Sequence, residues 1–187
     1  MSDCDLTCGI DEAGRGPLAG PVAAAAVILP VQFPCNILDD SKALDPEQRT
    51  AAAAVIRDWA IAWSIGWASP AEIDLLNIHN ATLLAMKRAV RSLAVCPSRL
   101  LVDGLLCPQC GIASVAIVKG DKTIPEIMAA SIIAKTARDR WMEEYSQLEP
   151  AYGFERHKGY PTPDHRRIVL ALGPSRIQRR SFRVTAP

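Results

Sequence analysis

Near the start of the chain Leu6, Cys8 and Ile10 alternate with Asp5, Thr7 and Gly9, a period of two that predicts a first strand delivering Asp11 at its end. Val22 to Leu29 is continuously apolar and predicts a central second strand. Asp45-Pro46 supplies an N-cap and an N1 proline, with Gln48 at the capping-box position, so a helix should run to about Trp59. Ile61, Trp63, Ile65 and Trp67 recur with period two and predict a third strand. Ser69-Pro70-Ala71-Glu72 repeats the cap, proline and capping-box glutamate and starts a short helix. A longer helix over about Asn80 to Leu93 follows from the spacing of Leu83, Leu84, Met86, Ala89, Val90 and Leu93. Arg99 to Val102 and Val115 to Val118 read as two more strands, the first ending at Asp103 and the second closing on Gly120-Asp121. A long helix is expected around Ile127 to Leu148, and a last short one from near Asp164 to Gly173-Pro174. The order predicts an α/β fold: a mixed five-stranded sheet flanked by helices, with a helical C-terminal extension.

The 187 residues suffice for one substantial core, so residues 1–187 are read as a single domain. Hydrophobic residues make up 49% and charged ones 22%, which excludes a disordered polyelectrolyte. The run from Val22 to Leu29 is far short of the about 20 residues that cross a bilayer. Met1 to Asp5 carries no basic region of the secretory kind, and a soluble cytoplasmic protein is the expectation. The net charge of +1 hides an asymmetry: residues 151–187 hold eight Lys/Arg and two Asp/Glu, a net of +6, leaving −5 for residues 1–150. A basic end of this kind suits a polyanion, though a solvated helix face would have the same composition. Cys107-Pro108-Gln109-Cys110 is compatible with a zinc site shared with Cys4 and Cys8, with a redox pair, or with an ordinary turn between strands.

Candidate chemistry concentrates in Gly9-Ile10-Asp11-Glu12-Ala13-Gly14-Arg15-Gly16. Asp11 and Glu12 are hard oxygen ligands suited to Mg²⁺ or Mn²⁺. Gly14 and Gly16 let backbone N–H groups approach a ligand closely, and Arg15 offers a planar donor fork to phosphate. A polar turn after a strand is the plainer reading. Strand side chains alternate between faces, so Glu12 should join Asp11 only where the strand has ended or bent. Asp103 and Asp121 also stand just past strand ends, where open α/β sheets gather ligand sites, although Asp-Gly is equally a turn signal.

From Gly9 to Val22, GIDEAGRGPLAGPV, the chain resembles the type 2 ribonuclease H family, and in particular its bacterial ribonuclease HII branch. The resemblance continues through Asp40-Ser41-Lys42, Glu72-Ile73-Asp74, Leu76-Asn77-Ile78, Val102-Asp103-Gly104, Lys119-Gly120-Asp121 and Ala129 to Lys135. It ends with His157-Lys158-Gly159-Tyr160, His165 and Ser181-Phe182, and so covers roughly residues 9 to 183 in family order. It implies a ribonuclease H-like fold and a metal-dependent endonuclease with Asp11, Glu12, Asp103 and Asp121 as catalytic metal ligands. Two Mn²⁺ or Mg²⁺ ions would serve catalysis. Gly14, Arg15 and Gly16 would read a 2′-hydroxyl, and Tyr160 would pack against the neighbouring sugar. Lys42, Asn77 and Ser131 would lie on the phosphate side, and the basic part from about 151 to 187 would help bind substrate. Plainer roles for these three are a solvated lysine, a helix-start cap and a small helix-packing residue.

The implied substrates are RNA–DNA hybrids and duplex DNA containing single ribonucleotides, cut on the 5′ side to leave 3′-hydroxyl and 5′-phosphate ends. A monomer is implied. A sliding-clamp contact through Gln178 to Phe182 is a weaker expectation, and histidines are not expected as ligands. The competing readings are a catalytically silent hybrid-binding protein and a DNA nuclease or recombinase of the wider ribonuclease H-like class. Glu126, where the family favours a small or hydroxyl residue, could add negative potential near Asp121.

Overall fold

The opening alternation becomes β1 (Thr7–Ala13), the middle strand of a five-stranded sheet. The computed structural model describes residues 6–38 and 44–186. On one side of β1 lie β2 (Val22–Ile28) and β3 (Ala62–Ala68), paired antiparallel; on the other, β4 (Arg99–Asp103) and β5 (Ala113–Ile117) run parallel to it. The sheet order is β3-β2-β1-β4-β5. Every residue of β2 is buried, as its unbroken apolar run requires of a strand covered on both faces.

Helices α1 (Pro46–Trp59) and α3 (Pro125–Ser146) cover one face, where Ala25 and Val27 meet Ala52, Ala53, Ile56 and Ile133. Helix α2 (Pro70–Arg91) covers the other, where Cys8, Ile10, Ala24 and Ala26 meet Ile73, Ala85, Met86 and Ala89. Small residues let these helices sit close. A Cβ on Gly9 would stand 2.1 Å from the Glu126 carbonyl carbon, and one on Gly66 2.1 Å from the Ala85 carbonyl oxygen. Both capping boxes form as the sequence predicts: Asp45 accepts from the Gln48 N–H at 2.8 Å, and Ser69 from the Glu72 N–H at 3.2 Å. The short and long helices expected over this stretch are the two halves of α2, parted at Asn77, whose φ of 66° and ψ of 165° are not helical.

Past α3 the chain forms α4 (Phe154–His157) and α5 (Pro163–Leu172), which close a third core of Met142, Phe154, Val169 and Ile177 around Ala19. The chain then returns to pair Gln178 with Ala19, so the C-terminal segment lies against the loop that follows β1. Among the described residues no helix is long and apolar enough to cross a membrane.

Candidate active site

β1 and β4 pair only as far as Ile10–Val102, whereas β1 continues against β2 to the Ala13–Ala23 pair. The β1–β4 ladder therefore stops one residue short of Asp11 and Asp103. A cavity of about 230 Å³ opens there, lined by Asp11, Glu12, Asp103 and Asp121 together with Gly14, Arg15, Gly16, Ser131, Lys135 and Tyr160. The expectation that β1 must end or bend for Glu12 to join Asp11 is corrected: the strand runs on to Ala13. Asp11 and Ala13 face α3 while Glu12 faces α2, where it also borders a pocket with Thr82, Leu83 and Met86. The two carboxylates meet because the neighbouring ladder has stopped, which leaves the Glu12 side chain free to reach past the strand's edge.

Asp11, Asp103 and Glu12 each have a holder. The Ser131 hydroxyl, in the second turn of α3 and on its buried face, donates to Asp11, and the Glu12 N–H donates to Asp11 Oδ1 at 2.7 Å. Asp103 Oδ1 accepts the Asp121 N–H at 3.3 Å. Arg15 donates to Glu12 Oε1 at 3.2 Å while its other terminal nitrogen lies 3.1 Å from His79 Nδ1. Burial, then the negative charges of Glu12 and Asp103, push the Asp11 carboxyl well above its ordinary range. Burial also raises Glu12, with Arg15 pulling against it.

A buried cluster of negative charge with one nearby guanidinium favours a cation, and its all-oxygen donor set fits a hard divalent ion. Among the described residues no three of these side chains already stand as a ligand group. Arg15 and Asp11 both contact Glu12, and the Asp121 N–H holds Asp103.

The two glycines of the turn differ. Gly14 has a φ of 98°, and a Cβ there would fall 2.0 Å from Arg138 Nε. Among the described residues a Cβ on Gly16 would meet only Tyr160 Cε1, at 4.0 Å, and it would extend into the cavity. Gly14 is demanded by the fold, whereas Gly16 keeps space open. The Tyr160 ring lies under two cations, with Lys135 Nζ 5.5 Å and Arg138 Cζ 5.7 Å from its centre. Lys135 is itself held by Asp139 at 2.7 Å, and burial lowers its pKa.

Lys42 lies outside the described residues. Asn77 is exposed and does not line the cavity; its Oδ1 accepts the Asn80 N–H at 3.1 Å and caps the second half of α2. Glu126 borders a depression at the other end of β1 with Leu6, Thr7 and Pro30, which removes it from the cavity despite its closeness to Asp121 in sequence. Cys107 and Cys110 are half-buried against the α2-side core, and burial raises both thiols. Gln178 and Arg179 are buried and Phe182 packs against the same core, so residues 178–182 are not presented as a free peptide. Sequence reasoning missed Lys135 and His79. Lys135 was findable, since it stands four residues after Ser131 and so on the same helix face. Nothing in the sequence marks His79 as a partner of Arg15.

A sequence profile of the ribonuclease HII family matches residues 8–185. The chain is 54% identical to the ribonuclease HII of Dechloromonas aromatica over 177 residues, 95% of this chain and 90% of that protein. It is 51% identical to the ribonuclease HII of Myxococcus xanthus over 175 residues, 93% of this chain but 60% of that longer protein. The crystal structure of the ribonuclease H2 from Pyrococcus horikoshii OT3 superposes with a TM-score of 0.81 at 27% identity, over 96% of this chain and 94% of that one. The mixed five-stranded sheet with its flanking and C-terminal helices is thus the ribonuclease H-like fold. On this match of sequence and architecture, the chain belongs to the ribonuclease HII family.

Proposed function

We propose that this chain is a metal-dependent endonuclease that cuts the RNA strand of RNA–DNA hybrids. It also cuts on the 5′ side of single ribonucleotides in duplex DNA, leaving 3′-hydroxyl and 5′-phosphate ends. The observation that carries this reading is one cavity shared by the four carboxylates, the Gly14-Arg15-Gly16 turn and Tyr160. Asp11, Glu12, Asp103 and Asp121 would hold two Mg²⁺ or Mn²⁺ ions. When bound, these supply charge for activating water and stabilising the leaving oxygen.

The chain's own groups position the substrate. Ser131 orients the Asp11 carboxylate, and Asp121 is tied to Asp103 through its own N–H. Arg15, half-exposed at the rim, brings donors to the sugar–phosphate backbone, and the open space over Gly16 admits a 2′-hydroxyl that a side chain would displace. Tyr160 offers a ring face to the next sugar, backed by Lys135 and Arg138. Lys135 adds positive charge beside the phosphate path. In the basic C-terminal part, Arg180 and Arg183 are exposed and available to phosphates, whereas Arg179 is buried.

The test is cleavage of a duplex with one embedded ribonucleotide, beside the identical all-DNA duplex, with Mg²⁺, with Mn²⁺ and with chelator. Metal-dependent cutting confined to the ribonucleotide duplex is expected. Tight binding without cutting would make the protein a silent hybrid binder, and equal cutting of both duplexes a general DNA nuclease.

A further inference from the structure

Arg179 is wholly buried, and among the described residues it forms no salt bridge. A buried charge without a carboxylate must be satisfied by other acceptors, and here they are all backbone carbonyls. Nη2 donates to the Gly14 oxygen at 2.6 Å and to that of Pro21 at 3.3 Å; Nη1 donates to Arg15 at 3.0 Å, and Nε to Gly20 at 2.9 Å. One planar fork thus spans both ends of the loop between β1 and β2, which a lysine ammonium could not do from a single point. Burial, with the nearby Arg138, lowers its pKa to about 9, so it still carries its charge at neutral pH.

The segment bearing Arg179 is pinned from outside. Its own N–H donates to the Leu18 carbonyl at 2.9 Å, and its guanidinium lies over the Phe182 ring at 5.1 Å. Asp74 on α2 accepts from the Arg180 N–H at 3.0 Å, and from the Ser181 N–H and hydroxyl at 2.9 and 2.6 Å.

In a trans peptide the C=O and the following N–H point in opposite directions. Holding the Gly14 and Arg15 carbonyls inward therefore turns the N–H groups of Arg15 and Gly16 outward, away from the guanidinium. Among the described residues those two N–H groups have no hydrogen-bond partner, and both residues line the catalytic cavity. Successive outward N–H groups form a concavity that accepts an oxygen ligand.

We infer that Arg179 is a positioning residue for ribonucleotide recognition: by clamping the Gly14 and Arg15 carbonyls it aims the Arg15 and Gly16 N–H groups, and the Arg15 side chain, at the ribose. The inference rests on the ribonucleotide-cutting reading above. It assigns the C-terminal basic segment two separate roles, with Arg179 shaping the reader from behind while Arg180 and Arg183 remain exposed.

The experiment measures binding of two fluorescent duplexes in chelator, one with a single ribonucleotide and one all-DNA, to the full chain and to Arg179→Lys. The variant's preference for the ribonucleotide duplex should fall toward unity, a loss of about tenfold if those N–H contacts go. Its all-DNA affinity should fall clearly less, because Lys135, Arg180 and Arg183 still meet the phosphates. A preference retained by folded Arg179→Lys overturns the inference, and so does an equal loss on both duplexes, the mark of a phosphate contact. Should Arg179→Lys fail to fold, Asp74→Ala at the surface releases the segment more gently and decides in its place: a reduced preference upholds the clamp, an unchanged one removes it. A parent chain with no preference would sink the ribonucleotide reading itself, a result distinct from failure of the Arg179 arm.

Discussion

The Asp121 N–H donates to Asp103 Oδ1 at 3.3 Å, so one candidate metal ligand uses an oxygen to hold the backbone of another. This contact ties the end of β4 to the turn that follows β5. Asp103→Asn preserves the Oδ1 acceptor, and with it the tie, while removing the charge. Metal-supported cleavage should fall at least about 100-fold with the unfolding midpoint little changed. Near-native single-turnover cleavage by folded Asp103→Asn at saturating Mg²⁺ would remove Asp103 from the ligand set.

The Gly14 and Gly16 environments make opposite predictions for the same substitution. Gly14→Ala puts a Cβ 2.0 Å from Arg138 Nε at a φ of 98°, and should cost stability on the order of 1–3 kcal/mol or more. Among the described residues Gly16→Ala meets nothing nearer than 4.0 Å, so its melting temperature should match the parent's while cleavage of a single-ribonucleotide duplex drops. Thermal melts beside cleavage rates separate the two cases. A large loss of stability in Gly16→Ala would show that the fold, not the ligand, needs that glycine.

Most of the fold was legible because local signals agreed with tertiary structure. Both capping boxes and the buried run of β2 appear where periodicity and cap chemistry put them. β3 forms where the alternation puts it, but with the faces exchanged: Ala62, Ser64, Gly66 and Ala68 are buried under α2, while Ile61 and Trp63 are exposed. The four carboxylates lay in one cavity because strand ends gather ligands, and the family pattern said which ends. What sequence could not show was relational. The β1–β4 ladder stops before Asp11 through register, which no single strand encodes. Arg179 reads as one more surface cation in a basic stretch, and only packing reveals that its donors are consumed by carbonyls more than 150 residues away in sequence. Asn77 carries both a motif and a capping role in the same letters, and the structure displays the cap.

His157 and His165 stack with ring centres 4.3 Å apart. His157 Nε2 donates to the Tyr152 carbonyl at 2.8 Å while its Nδ1 accepts the Gly159 N–H. His165 Nδ1 donates to the Tyr160 carbonyl at 2.9 Å, and among the described residues its buried Nε2 has no hydrogen-bond partner. Burial lowers both pKa values, and the neighbouring His157 lowers that of His165 further. A folded-state pKa below the unfolded value of about 6.5 means that their contribution is full above that pH and is lost as pH falls through the folded values. Asp11 and Glu12, raised by burial, act in the opposite direction, so the comparison must be between parent and variant. His157→Gln keeps an N–H for Tyr152 but cannot charge. The urea midpoint should fall less between pH 7.5 and 5.5 for this variant than for the parent, and equal falls would clear His157 of any part in acid sensitivity.

Tyr160 should act through its ring. Its backbone is fixed on both sides: the N–H donates to the His157 carbonyl at 2.8 Å, and the carbonyl accepts from Thr162 and His165. Lys135 and Arg138 lie over the ring, and among the described residues its hydroxyl takes no hydrogen bond. A ring held in this way offers a flat apolar surface, which on the proposed function meets a sugar at the junction after the ribonucleotide. Tyr160→Phe keeps that surface and should retain much of the cleavage rate. Tyr160→Ala removes it and lets the scissile phosphate drift, and misplacement of about 1 Å can cost about 100-fold. Single-turnover rates on a one-ribonucleotide duplex, measured for both variants beside the parent, give the comparison. Severe and equal losses in Phe and Ala would transfer the role from the ring to the hydroxyl.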